Sequence, residues 1–175
     1  KYACSDMYEV YRDVVHKMFP SCCMILDYFH LSQDFHRKMN EVRIKVMKGY
    51  KDNKASDEYY LLKKFNWLLF KNPEDEDKYG RLFDVERERK YNSHFKSYMN
   101  YYDLRKKLLE INNDLTICYS LKLELVDFYS KSTIDNAKVN LEKLIRSCID
   151  TNIEEMIKFS NNLINWKQEI INSFT

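Results

Sequence analysis

Asp6 stands at the carboxyl end of a short strand candidate, Tyr2–Ser5, and Asp27 directly follows a second one, Cys22–Leu26, with His30 three residues further on. In open α/β sheets, active sites gather outside the carboxyl ends of the strands. A carboxylate in that position is a natural ligand for Mg²⁺, which prefers hard oxygen donors. Local structure offers a simpler use for the same residues. Asp6, with Glu9 three residues later, matches a helix-start signal. Asp27 suits a turn or a cap, and His30 suits a half-buried, hydrogen-bonded histidine. His30 and His36 lack the i,i+4 spacing of two ligands on one helix face, and no third ligand accompanies them, which argues against zinc.

Two further groups of residues bear on nucleic acid. Trp67 and Trp166 are of the type that stacks on an extruded base, although a tryptophan in an apolar helical stripe is more often core. Basic clusters occur at Arg37-Lys38, Lys45 to Lys51, Lys63-Lys64, Arg87 to Lys90 and Arg105-Lys106-Lys107, interleaved with Tyr and Phe. Such clusters can line a phosphate backbone. With acidic neighbours they read equally well as solvated helix faces. Nothing singles out a Cys–His or Ser–His nucleophile pair.

The elements that must hold these residues follow from periodicity. Met7, Val10, Tyr11, Val14, Val15 and Met18 form one helical stripe, closed by Phe19-Pro20, because a residue before proline avoids the helical region. Cys22–Leu26 is a short continuous apolar run, as in a buried strand, and the crossover is long enough for parallel pairing. Beyond Leu31 strand signals stop. Leu31, Phe35, Met39, Val42 and Val46 predict a helix up to Gly49, and Leu61 to Leu69 another ended by Asn72-Pro73. Glu74–Asp77 reads as an acidic loop and Arg87–Lys90 as a solvated helix surface. Phe95, Tyr98, Met99, Tyr102 and Leu109 predict a helix up to Asn112-Asn113, followed by helices on Leu115 to Tyr129 and on Leu141 to Cys148. Thr151 and Glu154 form a capping box before a last helix with the face Ile153, Met156, Ile157, Ser160, Ile164 and Ile171. The layout is β-α-β-α, then an all-helical block. Two parallel strands are not a stable sheet alone, so the first third reads as part of a larger α/β domain.

Composition supports this. The chain has 175 residues, 45% hydrophobic and 32% charged, with a net charge of +2. That leaves any DNA contact to local patches. Only two glycines and two prolines occur, too few for an all-β fold or a Gly-rich phosphate loop. The five cysteines are odd in number and lack a Cys-x-x-Cys spacing, as expected of reduced, buried cytosolic thiols. No signal peptide or membrane-length apolar run is present. The sequence begins at Lys1 rather than Met, so further sequence upstream is expected.

The run Ser5-Asp6-Met7-Tyr8…Tyr11…Phe19-Pro20…Ile25-Leu26-Asp27-Tyr28-Phe29-His30-Leu31 resembles the bacterial insertion-sequence transposases of the ISL-three family. Looser likeness continues through Lys63-Lys64-Phe65 to Asn72, Tyr119-Ser120-Leu121-Lys122 and Trp166-Lys167-Gln168-Glu169-Ile170. The resemblance implies a mostly α chain with a partial RNase H-like β-α-β-α segment over 1–56, a helical insertion domain over 57–165 and the start of a return to the catalytic core over 166–175. It implies that Asp6 is the second acid of a DDE triad, with the other two acids outside this sequence. Asp27 and His30 match a motif near the active site, and Glu169 belongs to the Trp166 run rather than to the triad. The implied chemistry is cleavage and strand transfer of DNA by two Mg²⁺ (or Mn²⁺) ions.

On this reading the partners are transposon ends and target DNA, contacted through Arg37, Lys38, Lys63, Lys64, Arg105, Lys106 and Lys107. Self-association is expected, and no membrane partner. The setting is the bacterial cytoplasm at the nucleoid. The chain alone is expected to be inactive and to hold no metal. The alternative is a non-catalytic helical module that binds nucleic acid or protein. A second strand parallel to the first and ending at Asp27 counts against that alternative. An antiparallel hairpin at the opening, or any strand beyond Arg81, overturns the RNase H-like assignment.

Overall fold

The computed structural model describes residues 1–5 and 7–174. Asp6 lies outside the described residues. Strands β1 (Tyr2–Ser5) and β2 (Cys23–Leu26) pair in parallel, in the register Tyr2↔Cys23 to Ser5↔Leu26. Helix α1 (Glu9–Met18) makes the crossover between them. Its end at Phe19 agrees with the Phe19-Pro20 signal. Its start does not follow the Asp6–Glu9 signal: the N-cap is Tyr8 without a side-chain bond, and Glu9 is the first helical residue. A capping box needs its acid in the third helical position. No residue of α1 is buried, and Val10, Tyr11, Val14 and Met18 are about half exposed or more.

The chain divides into two compact units. The first consists of Lys1–Met39 and Ser120–Thr175. Besides the two strands and α1 it contains the start of α2 (Tyr28–Lys48), the end of α5 (Asn113–Lys131), α6 (Ala137–Asp150), α7 (Glu154–Asn165) and α8 (Lys167–Asn172). Phe35 of α2 meets Phe159 of α7 edge to face, with ring centroids 5.0 Å apart, and Leu31, Met39, Leu141, Cys148, Met156 and Leu163 are buried.

Helix α8 packs on β2. The rungs Cys23 N–H to Lys1 C=O and Asp27 N–H to Ser5 C=O turn alternate residues of β2 towards β1. Met24 and Leu26 then direct their backbone groups to the other side, and both residues are buried. There the Asn172 side chain donates to the Met24 carbonyl at 2.7 Å.

Two expectations at the end of this unit are corrected. Thr151 does not cap a helix at Glu154. Its hydroxyl donates to Cys148 C=O and accepts from Ile153 N–H, shaping a turn with Asn152 at φ +56°. The last helix is also broken at Trp166, and its predicted face holds only in part: Ile153, Met156 and Ser160 are buried as expected. Phe159 and Leu163 lie inside, while Ile164 is 51% exposed.

The second unit is Asn40–Tyr119. It holds the end of α2, α3 (Asp57–Lys64), a 3₁₀ turn (Asn66–Leu69), strands β3 (Glu76–Asp77), β4 (Gly80–Arg81), β5 (Lys90–Asn92) and β6 (Ser97–Met99), α4 (Tyr101–Glu110) and the start of α5. Ser56 caps α3 by accepting from Tyr59 N–H. Buried Arg43 donates to Leu62 C=O at 2.7 Å, fixing α2 against the end of α3.

The expectation that everything after Leu31 is helical fails here. Residues between Glu76 and Met99 form two antiparallel hairpins, β3–β4 and β5–β6. Glu74–Asp77 runs into strand β3, and Arg87–Lys90 is an irregular segment that enters β5 at Lys90 rather than a helix surface. Tyr91 and Tyr98 face each other across β5–β6 at 5.4 Å, a cross-strand pair that favours strand over helix. The helix predicted from Phe95 begins instead at Tyr101, where Asn100 and Asp103 form a full capping box.

By the criterion above, strands β5 and β6, which lie beyond Arg81, overturn the RNase H-like assignment. The β5–β6 hairpin is a separate sheet, bonded to neither β1 nor β2, so it corrects the content of the helical block and leaves the opening sheet as expected. The two units are a division by packing, whereas the segments 1–56, 57–165 and 166–175 are what the resemblance implies. Among the described residues no helix is long and apolar enough to cross a membrane.

Candidate active site at the strand ends

Parallel pairing brings the carboxyl ends of β1 and β2 side by side, and Asp27 N–H closes the ladder on Ser5 C=O. Asp27 then opens α2. Its Oδ1 accepts from Phe29 N–H at 2.9 Å and its carbonyl accepts from His30 and Leu31 N–H. The cap reading of Asp27 is therefore correct. It does not compete with a role at the site, because a carboxylate has a second oxygen. Cys4, Ser5, Tyr11, Asp27 and His30 surround a recess of about 310 Å³. The structure thus brings Asp27 and His30 together at one strand end.

His30 also borders a larger groove of about 960 Å³, shared with Tyr8, Glu9, Asp34 and Arg37. Asp34 lies one helical turn beyond His30 and is buried. It accepts from the Asn162 amide at 2.7 Å and from the Arg37 guanidinium. Across the groove, Arg12 donates to Asn165 C=O and stacks over the Trp166 ring at 4.6 Å. Glu9 accepts from the Asn165 amide. These polar ties hold α1 to the α7–α8 junction although its apolar stripe is uncovered. Burial, reinforced by the Lys122 charge, lowers the pKa of His36 on the same wall. Behind the recess, the Tyr129 ring lies 4.3 Å from Tyr28, and its buried hydroxyl has no partner among the described residues. Burial, and then the nearby Tyr28 and Asp27, hold that hydroxyl far above its usual pKa.

The other predicted residues are placed as follows. Arg37 pairs with Asp34, and Lys38 is only 9% exposed. Arg105 sits 3.5 Å over the Phe83 ring and donates to the Tyr119 hydroxyl. Lys63, Lys64, Lys106 and Lys107 are exposed. Trp166 is core, 2% exposed, and Trp67 is half-buried with its ring edge-on to Tyr101. Among the described residues no group of three His, Cys, Asp or Glu side chains is disposed to hold a metal ion. Asp27 and His30 alone are too few donors for Mg²⁺, which takes six oxygen ligands or waters, so no step through a metal is derived from them.

Two features were missed from the sequence. One is the Asp34–Asn162–Arg37 cluster, whose members lie 128 residues apart and leave no local signal. The other is a cavity of about 280 Å³ in the second unit, walled by tyrosines and lysines. Its signal was the Lys-Tyr pairs at 78–79 and 90–91.

A family model described as Transposase, that of the ISL-three DDE type, matches residues 1–175. No curated protein and no solved structure matches the chain. The match spans every residue, including the Asp27–His30 strand end and both compact units, and the chain belongs to the ISL-three family of transposases.

Proposed function

We propose that this chain contributes the second acid of a DDE site, Asp6, to an enzyme that cleaves and rejoins the DNA ends of an insertion sequence. The observation that carries the reading is the parallel β1–β2 pair with Asp27 and His30 at its carboxyl end, in a chain that matches the transposase family throughout. Asp27 and His30 line the site, with Asp27 also fixing the entry of α2. Mg²⁺ or Mn²⁺ enters the proposal only through Asp6, together with carboxylates beyond the described residues, because one carboxylate cannot assemble a two-metal site. The DNA contacts fall to the exposed lysines Lys63, Lys64, Lys106 and Lys107 before Arg37, Lys38 and Arg105, whose groups are buried or engaged. The place of work is the nucleoid of a bacterial cytoplasm.

A helical binding module without catalytic ancestry does not account for the parallel strand–helix–strand opening. The test is Asp6→Ala in the transposase that contains this chain. Transposition is expected to be lost while binding to the transposon ends persists. Strand transfer at the normal level in that variant refutes the role.

A further inference from the structure

We propose that the tyrosine-walled cavity of the second unit receives one unstacked nucleotide of a DNA strand. The proposal rests on the reading of the chain as a DNA-processing protein and adds a site to it. The cavity lies wholly within Asn40–Tyr119 and measures about 280 Å³. That is near the lower end for small-ligand sites, about 300–1,000 Å³. It suits a single planar group and excludes a duplex.

Its walls are aromatic. Tyr60, Tyr79, Tyr91 and Tyr101 all line it. Tyr79 and Tyr91 are 68% and 58% exposed, so both carry ring surface that water covers poorly. Tyr60 and Tyr101 are held from behind: Tyr60 stacks on His94 at 4.0 Å, and Tyr101 meets the edge of Trp67. Held and exposed rings line one cavity and can serve as a platform for a base, since every base offers a π-face; the base would take the place of the cations that now lie over Tyr60, Tyr79 and Tyr101 at 4.8–5.8 Å.

The charge around the rings is cationic and available. Lys64 sits over the Tyr60 ring and Lys90 over the Tyr79 ring, and neither has a carboxylate partner among the described residues. Arg87 also lines the cavity but is committed to Asp77 at 2.6 Å and to the Gly80 and Arg81 carbonyls. It neutralises Asp77 and leaves Glu88 as the one carboxylate on the wall set against two free lysines. A base between the tyrosines would place its flanking phosphates within the field of Lys64 and Lys90. The surrounding amides and hydroxyl of Asn92, Asn100 and Ser93 are polar, but Asn100 is consumed by the helix cap and Asn92 by its own turn. Recognition is therefore by stacking and charge, with little capacity to read one base over another.

The experiment uses the whole 175-residue chain and a fluorescein-labelled oligothymidylate, a duplex of equal length and thymidine monophosphate as probes. The single strand is expected to bind more tightly than the duplex. Tyr79→Ala with Tyr91→Ala, both at exposed positions, should weaken single-strand binding by about fivefold to a hundredfold while leaving duplex binding unchanged. Lys90→Gln should flatten the salt dependence of single-strand binding by about 0.7 in the log–log slope. Circular dichroism of each variant shows whether the fold is retained; Tyr91→Phe, which keeps the ring, should bind as the parent. Three results overturn the proposal: equal single-strand affinity in parent and double variant, no single-strand binding at all, or thymidine monophosphate binding as tightly as the oligonucleotide, which would assign the cavity to a free nucleotide. None of these touches Asp6, so the cavity can fail while the transposase reading stands, and the reverse.

Discussion

At the scale of single residues, groups around the strand ends make two measurable predictions. The hydroxyl of Tyr129 is buried without a partner, and leaving such a group unpaired costs about 1–3 kcal/mol. Tyr129→Phe removes it without opening a cavity and should stabilise the chain by about 1 kcal/mol, or roughly 2–4 °C in Tm. A loss of stability in denaturant unfolding would mean that the hydroxyl bonds to ordered water. His36 has a folded-state pKa below its ordinary value because burial and Lys122 oppose its charge. The unfolded chain therefore binds this proton more readily. The stability that neutral His36 contributes is complete above about pH 6.5 and is lost as pH falls through that value towards the lower folded pKa. His36→Gln should flatten the unfolding free energy between about pH 7 and pH 5; an unchanged profile would show that other groups set it. Burial also pushes the Cys148 thiol up to about 12; Cys118 is buried as well, but Cys4 is exposed and Cys22 and Cys23 are half-buried, so the expectation of buried thiols is corrected for three of the five.

Among the elements, α4 rests on one side chain. Asn100 accepts from Asp103 N–H, and its amide donates towards the Asp84, Val85 and Arg87 carbonyls. It closes the helix start and ties down the turn before β5 at once. Asn100→Ala should cost about 2–3 kcal/mol, from a lost cap of about 1 and buried carbonyls left unpaired. Asn100→Ser should recover only the cap. If serine restores full stability, the amide bonds contribute nothing. This residue also shows where the sequence stopped being legible. The Asn100–Asp103 box is a local signal as clear as any, yet the apolar spacing of Phe95, Tyr98 and Met99 suggested a helix running straight through it. The stripe was real, but Tyr91 was the partner that made it a strand. Where neighbours in sequence decide, as at Phe19-Pro20, Gly49 and the Cys22–Leu26 run, the reading was correct to within a residue. Asp27 and His30 were found at a strand end for the same reason. The cavity and the Asp34–Asn162 contact depend on distant segments, and no periodicity carries them.

At the scale of the whole chain, α1 and β1 share an unmet demand. The α1 stripe of Val10, Tyr11, Val14 and Met18 is open to water, and among the described strands β1 pairs with β2 alone. Unpaired strand edges accept other strands. We expect the isolated chain to self-associate through β1 and the α1 face. Light scattering over a range of concentrations should show mass rising towards a dimer, and a charged residue at Val14 should return it to a monomer. A monomer at every concentration removes this contact.

The bond from Asn172 to Met24 sets how far such pairing can go. With α8 packed on β2 and the Met24 carbonyl already taken, the sheet has a valence of one. Two molecules that join edge to edge satisfy each other through a twofold axis and present no further docking row. Assembly through this sheet should therefore stop at a pair. Loosening Asn172 would raise the valence to two, and the same contact would then propagate into a chain of molecules.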